Sequence, residues 1–345
     1  MQTRREAGRA GYWTAALLRR DNTGCFAAVS PASVRQGSPA LSIDLLARVF
    51  LPASLALIMF GLGVGLTGAD FRRLLDIPRV VLIGLFGQFV LLPALALGLA
   101  LAFGLAPALA AGLVILALCP GGVTSNFFSF LARGDVALSV TLTAVISLVA
   151  PFTVPLLAGW LVPLVSGRSA DFQLGLAETW ATLLALTLVP VGLGMLVRRI
   201  NRFVAAELER WTGPVGIALM FLVIGGIVAE NWDRMPEFFA GVGLVTVTLV
   251  TLALLAGWLI ARAGGASKGQ QATVAIEVGI QNGTMALLVT GVLMGSSEMS
   301  VVPAIYGLVM FPAGALFVLL ARSTLTRVPP GLVSPAPVSP PTGKD

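Results

Sequence analysis

Residues 275–283 read AIEVGIQNG, which places a carboxylate and two amides inside a stretch otherwise apolar enough to lie within a bilayer. About ten residues of spanning segment flank Glu277 on either side, so its side chain cannot reach an interface. A carboxylate at that depth costs about 2.5–3.5 kcal/mol even on insertion-based scales. It must be protonated, paired or bound to a cation. No Lys or Arg falls in mid-span to pair with it, which leaves a proton or a metal cation.

The neighbouring residue types favour the metal. Glu277 and Gln281 are four apart and share a face if the helix continues that far. Gly279 and Gly283 allow the chain to unwind and present backbone carbonyls. A second polar interruption, CPGGVTSN at 119–126, offers the Ser125 hydroxyl and the Asn126 amide oxygen, and the next segment carries Ser139, Thr143 and Ser147 at intervals of four. Gln88 lies mid-span in another segment. These are hard oxygen donors, suited to an alkali or alkaline-earth cation and unlike the sulfur and imidazole sets of transition metals. Plainer roles are open to most of them. Ser139, Thr143 and Ser147 can bond their own i−4 carbonyls or join helices, and Ser125 and Asn126 can cap the half-helix after the break. Cys119 can pack as a small apolar residue. For Glu277 a purely structural role is the hardest to find.

The elements that hold these residues are membrane spans. Of 345 residues, 57% are hydrophobic and 11% charged, against about 25% charged in soluble domains. Apolar stretches recur at roughly spanning length, which predicts an all-α polytopic membrane protein. Nine spans are expected, at 45–67, 79–103, 107–133, 135–163, 174–199, 212–229, 238–261, 268–295 and 300–321. Residues 1–44 read as a disordered extension, 45–322 as the transmembrane domain and 323–345 as a proline-rich tail. The excess of Lys and Arg needs no nucleic acid, because it sorts by side. One set of loops and ends holds Arg72, Arg73, Arg79, Arg133, Arg198, Arg199, Arg202, Arg210, Arg262, Lys268, Arg322, Arg327 and Lys344, and the opposite set only Arg168 and Arg234. The first set is therefore expected in the cytoplasm with the C-terminus, and the N-terminus outside. The arginines of residues 1–44 run against that last expectation.

Histidine is absent, which removes His-based nucleophilic catalysis, His zinc sites and haem ligation by His. Cys25 and Cys119 form no disulfide framework. No mid-span Asp pair, Ser–His couple or serine–lysine arrangement suggests an intramembrane enzyme. No enzymatic activity, cofactor or transition metal is expected, and no protein partner can be inferred. The two interrupted spans are the third and eighth, so they cross the bilayer in opposite directions. Glycine-broken helices at inverted positions point to a transporter of inverted repeats with a midplane site.

The segments CPGGVTSNFFSFLARGDVALSVTLTAVISLVAPFTVP, IMFGLGVGLTGADFRRLLDIPRVVLIGLFGQFVLLP and AIEVGIQNG resemble the bile acid:sodium symporter family, over residues 45–322 and in order. The resemblance implies core and panel domains with two discontinuous helices crossing in the core. It implies one sodium at Ser125, Asn126, Ser139, Thr143 and Glu277. It implies a second at Gln88, Glu277, Gln281 and the carbonyls around Val278 and Ile280. Asn282 and Thr124 would lie beside the crossing, near an organic anion. Bacterial relatives commonly have ten spans and animal relatives nine, and this chain reads as the nine-span kind, or else as one whose first helix is degenerate within residues 1–44. Two Na⁺ against one carboxylate leave about +1, which a monoanion neutralises in a low-dielectric interior. The expected activity is sodium-coupled import of an organic anion (bile-acid-like, pantoate-like or another carboxylate) by alternating access in a bacterial inner membrane. The alternatives are a proton-coupled or uncoupled permease, including an efflux carrier of the arsenite type, and a membrane sensor without transport.

Overall fold

A computed structural model of the protein describes residues 49–166, 176–230 and 232–325. The expectations for residues 1–44 and for the tail beyond 325 fall outside them. Every regular element among the described residues is helical. In chain order they are α1 (Leu51–Gly65), α2 (Gly68–Asp76), α3 (Pro78–Ala102), α4 (Pro107–Leu118), α5 (Val123–Leu131) and α6 (Val136–Ser166). There follow α7 (Leu176–Ile200), α8 (Arg202–Glu230), α9 (Met235–Ala263), α10 (Lys268–Gly279), α11 (Gly283–Leu287, prolonged by a wide turn over Leu288–Leu293) and α12 (Ser297–Leu325). Hydrocarbon offers no partner to a backbone N–H or C=O, so a spanning segment satisfies its own by closing into a helix. Prolines stand in the first turn of α1, α3 and α4, where no N–H is needed.

Among the described residues seven helical stretches are long and apolar enough to cross a bilayer alone, and the number rises to nine if each of two bent pairs is one crossing. The protein is an all-α polytopic membrane protein. One bent pair is α4 with α5, turned by 66° at the CPGG break. The other is α1 with α2, turned by 81°. There the structure adds a helix between the expected spans 45–67 and 79–103. Asp70, Arg72 and Asp76 make α2 too polar to extend a span, and the corner is closed by Thr67, whose N and Oγ1 both donate to Asp70 Oδ2 at 2.7 Å.

Two sets of helices are distinguished by their packing. α1 packs mainly on α7 and α8, whereas α3, α4, α6, α9, α10 and α12 pack on one another. Backbones touch directly between α1 and α7. A Cβ on Gly63 would lie 2.2 Å from the Val191 carbonyl oxygen, and one on Gly194 would lie 2.4 Å from that of Phe60. Within the larger set, α10 with α11 is buried along its whole apolar stretch, and α4 is buried at nearly every position. The broken helices are the innermost elements. The basic residues that the sequence assigned to one side also gather in space. Arg79 Nη1 lies 4.0 Å from a Cβ position on Gly265, between α9 and α10. The Asp135 N–H donates to the Gly269 carbonyl, and Arg322 Nε to that of Leu131. Arg79, Arg133, Arg262, Lys268 and Arg322 therefore share one end of the bundle.

Candidate functional site: the meeting point of two broken helices

Local sequence dictates both breaks. Cys119 precedes Pro120, which disfavours the helical region for it, and it is extended at φ −73°, ψ 148°. Gly122 is extended as well, and α5 starts from it without a side-chain cap. In the other break Ile280 is extended, and Asn282 caps α11 by accepting from the Met285 N–H at 3.0 Å. The breaks are joined backbone to backbone, the Asn282 N–H donating to the Pro120 carbonyl at 2.8 Å.

Around this joint the five residues of the first expected sodium set converge. Glu277 is 1% exposed and is the one buried carboxylate among the described residues. Ser139 Oγ donates to Glu277 Oε1, and Thr143 Oγ1 to Oε2 at 2.8 Å. Both hydroxyls are also within reach of Asn126 Oδ1, at 2.8 and 3.2 Å. Ser125 Oγ donates to the Gly122 carbonyl and lies 3.4 Å from Thr143 Oγ1. Two hydroxyl protons thus face three acceptor atoms, two of which share the negative charge of the carboxylate. This surplus of lone pairs over protons, in a buried place with only hard oxygen atoms, is the chemistry of a cation site. Ser139 and Thr143 do not make the i−4 bonds open to them, and neither Ser125 nor Asn126 caps α5. Ser147 is buried on the same helix with no partner for its hydroxyl.

The second expected set is also brought together, in a different state. Gln88 sits on a wide turn of α3, Gly87–Leu91, just before Pro93, where a turn of that kind relieves the clash of proline with the preceding carbonyls. Its Nε2 donates to the Cys119 carbonyl at 2.7 Å, and it exchanges amide hydrogen bonds with Gln281 at 3.2 and 3.3 Å. The helix does not continue to Gln281, since α10 ends at Gly279. Gln281 Nε2 instead turns back to the carbonyls of Val278, at 2.8 Å, and Glu277, at 3.3 Å. The Ile280 carbonyl lies on the other side, near Gly121. A Cβ on Gly121 would stand 2.9 Å from Glu277 Oε2, 3.0 Å from Ser125 Oγ and 3.5 Å from the Ile280 oxygen. Any larger residue at this position would therefore press on the carboxylate and the Ser125 hydroxyl of the first set.

Three contributors are absent from the sequence reading. Gly121 is one, and the Cys119 carbonyl, which anchors Gln88, is another. The third is Tyr306 on α12, fully buried, whose hydroxyl donates to the Gly279 carbonyl at 2.6 Å. With Gln281 it satisfies the carbonyls that α10 leaves open where it ends. One signal existed for it: Tyr306 is one of two tyrosines in the chain, and a buried tyrosine hydroxyl finds a partner.

Beside the joint, a small cavity is lined by Gly122, Val123 and Thr124 from one break and Gln281, Asn282 and Thr284 from the other. Ile58 of α1 and Ile217 and Met220 of α8 close it. Asn282 Nδ2 and Thr284 Oγ1 are buried here without hydrogen-bond partners. The N-terminus of α5 also borders it, a partial positive charge. Acceptors outnumber protons around Glu277, whereas this cavity is bordered by unused donors, the Asn282 amide and the Thr284 hydroxyl.

A profile of the Sodium Bile acid symporter family matches residues 52–238. The chain belongs to the sodium bile acid symporter family. It is 30% identical over 233 residues to a sodium-dependent transporter of Bacillus subtilis, YocS, covering 68% of this chain and 71% of that protein. It is 29% identical to the human sodium/bile acid cotransporter 4, covering 80% of this chain and 64% of the relative. It is 28% identical to a probable chloroplastic sodium/metabolite cotransporter, BASS1, of Arabidopsis thaliana, covering 68% of this chain and 57% of the relative. The family profile takes in Gln88 and the first break with Ser125, Asn126, Ser139 and Thr143. Glu277 and Gln281 lie beyond it.

Proposed function

We propose that the protein is a sodium-coupled symporter of a small organic anion, working by alternating access. The observation that carries this reading is the acceptor surplus around Glu277. A proton alone would satisfy one oxygen pair, and it gives no reason for five side chains from α5, α6 and α10 to converge. A sodium ion uses all of them. Its place is among Ser125 Oγ, Asn126 Oδ1, Ser139 Oγ, Thr143 Oγ1 and the Glu277 carboxylate. A second ion would be held by Gln88, Gln281, Glu277 and the carbonyls of Val278 and Ile280. There it takes the position that the Gln281 amide hydrogens hold against the Val278 oxygen, so this second set has to rearrange on binding.

The anion is assigned to this donor-bordered cavity, beside Asn282 and Thr124. Two cations and one carboxylate leave the joint near +1, and an anion of unit charge completes neutrality where the dielectric is low. Any remaining positive charge carried inward gains about 2.3 kcal/mol per 100 mV from the membrane potential. In this reading α1, α7 and α8 form the panel, and the helices around the crossing form the core. The names of the relatives, bile acid and metabolite cotransporters, support an organic anion and leave its identity open.

The test is uptake into proteoliposomes, with labelled bile salts and small carboxylates such as pantoate offered under imposed sodium or potassium gradients. Flux driven by sodium and abolished in Glu277→Gln is the expected result. Flux driven by a pH gradient without sodium would replace this reading with a proton-coupled permease.

A further inference from the structure

A second cavity lies away from the crossing, on the outer surface of the bundle. It is an elongated groove of about 900 Å³ between α9, α10 and α12. From Val247 to Arg262 its α9 wall spans about 22 Å of helix, more than one leaflet's half of a hydrocarbon core of about 30 Å. The walls are apolar, with Leu255 and Leu316 exposed along them. At one end this character changes. Arg262 and Lys268 both line the groove there, and Arg262 is stacked on the Trp258 ring at 5.0 Å. Among the described residues no carboxylate lines it. This is also the end at which Arg79, Arg133 and Arg322 gather, the one the positive-inside rule assigns to the cytoplasm.

We infer that this groove holds an anionic glycerophospholipid of the cytoplasmic leaflet, its phosphate between Arg262 and Lys268 and an acyl chain along the apolar wall. An acyl chain matches an apolar wall with exposed leucines along it, and the two cations at its end match a phosphate at headgroup depth. Tryptophan at that level is the usual interfacial residue, and basic pockets between spans on this side suit acidic headgroups. A second copy of the chain would bring its own arginines to the same end, and like charges would meet. A free inorganic phosphate has no use for the apolar wall.

Native mass spectrometry tests this on the full-length protein purified in mild detergent and mixed with equimolar phosphatidylglycerol and phosphatidylcholine. One bound phosphatidylglycerol per chain is expected, preferred on the order of thirtyfold for two basic groups near an anionic headgroup. The variant R262Q/K268Q should bind both lipids equally. A313F, which fills the wall, should lose both, while R262K keeps most of the preference. Inorganic phosphate should not displace the lipid. Equal retention of the two lipids by the wild type, an unchanged preference in the double variant, or a dimer that leaves the groove lipid-free would each overturn the assignment.

Discussion

Replacing Gly121 by alanine probes the cation set without touching a single proposed ligand. The added methyl carbon would stand 2.9 Å from Glu277 Oε2 and 3.0 Å from Ser125 Oγ, where ordinary contact begins near 3.4 Å. Backbone strain is not at issue, because Gly121 does not adopt a positive φ. The carboxylate would have to retreat by about half an ångström, and Ser139 and Thr143 fix it in place. A ligand at one hundred times its Kd stabilises the folded state by about 2.7 kcal/mol. At about 2.1 cal/mol/K of unfolding entropy per residue, that is a rise in Tm of roughly 4 °C for a chain of this size. A tenfold loss of affinity at the same concentration halves the gain, and a hundredfold loss leaves about 0.4 kcal/mol. The assay is thermal unfolding of purified protein in sodium and in potassium. Gly121→Ala should keep the potassium Tm and lose at least half of the sodium increment. Gly122→Ala is the matched comparison, since its Cβ would meet only the Asn282 side chain at an ordinary 3.6 Å, and its sodium increment should persist. An undiminished increment in Gly121→Ala would refute the cation set, as would an equal loss in both variants.

Other outcomes follow from the same geometry. Tyr306→Phe strips the donor from the buried Gly279 carbonyl and should destabilise the protein by about 1–3 kcal/mol, measured by thermal unfolding in potassium, with uptake weakened in proportion to the folded fraction. Asn282→Ala removes the α11 cap, worth about 1 kcal/mol, and a donor on the anion side. It should raise the KM for substrate while the sodium increment in Tm survives. Gly63→Ala drives a methyl group into the Val191 backbone, and overpacking of about 1–3 kcal/mol or more should appear as a lower monodisperse yield in size-exclusion chromatography.

Much of this architecture was legible in the sequence because hydrocarbon leaves few choices. A charge such as Glu277 in mid-span stands out by its cost, and the segments Pro78–Ala102, Val136–Ser166 and Ser297–Ser323 stand out by their length. Pro120 and the glycines beside it marked a break, and Glu277, Gln281 and Asn282 marked another. What periodicity could not supply was contact across the chain. Gln88 and Gln281 are 193 positions apart, and nothing local announces their amide pair. Gly121 looked like one more residue of a flexible break until its distance to the carboxylate gave it a packing role. The stretch 68–76 shows a different failure. Its charges exclude it from any span, yet short amphipathic helices at a membrane surface are built from such residues.

The direct contact of α1 with α7 has a mechanical consequence. Where Gly63 and Gly194 let two main chains touch, no layer of side chains remains to slide, tilt or repack. α1 and α7, with α8 against them, are joined like plates riveted through bare metal. Any displacement of that unit must be absorbed elsewhere, at surfaces padded with movable groups. One such surface is the cluster of Phe221, Phe311 and Phe128, whose rings lie 5.1 and 6.0 Å apart. Stiffness on one side of the molecule thus dictates where compliance has to be found on the other.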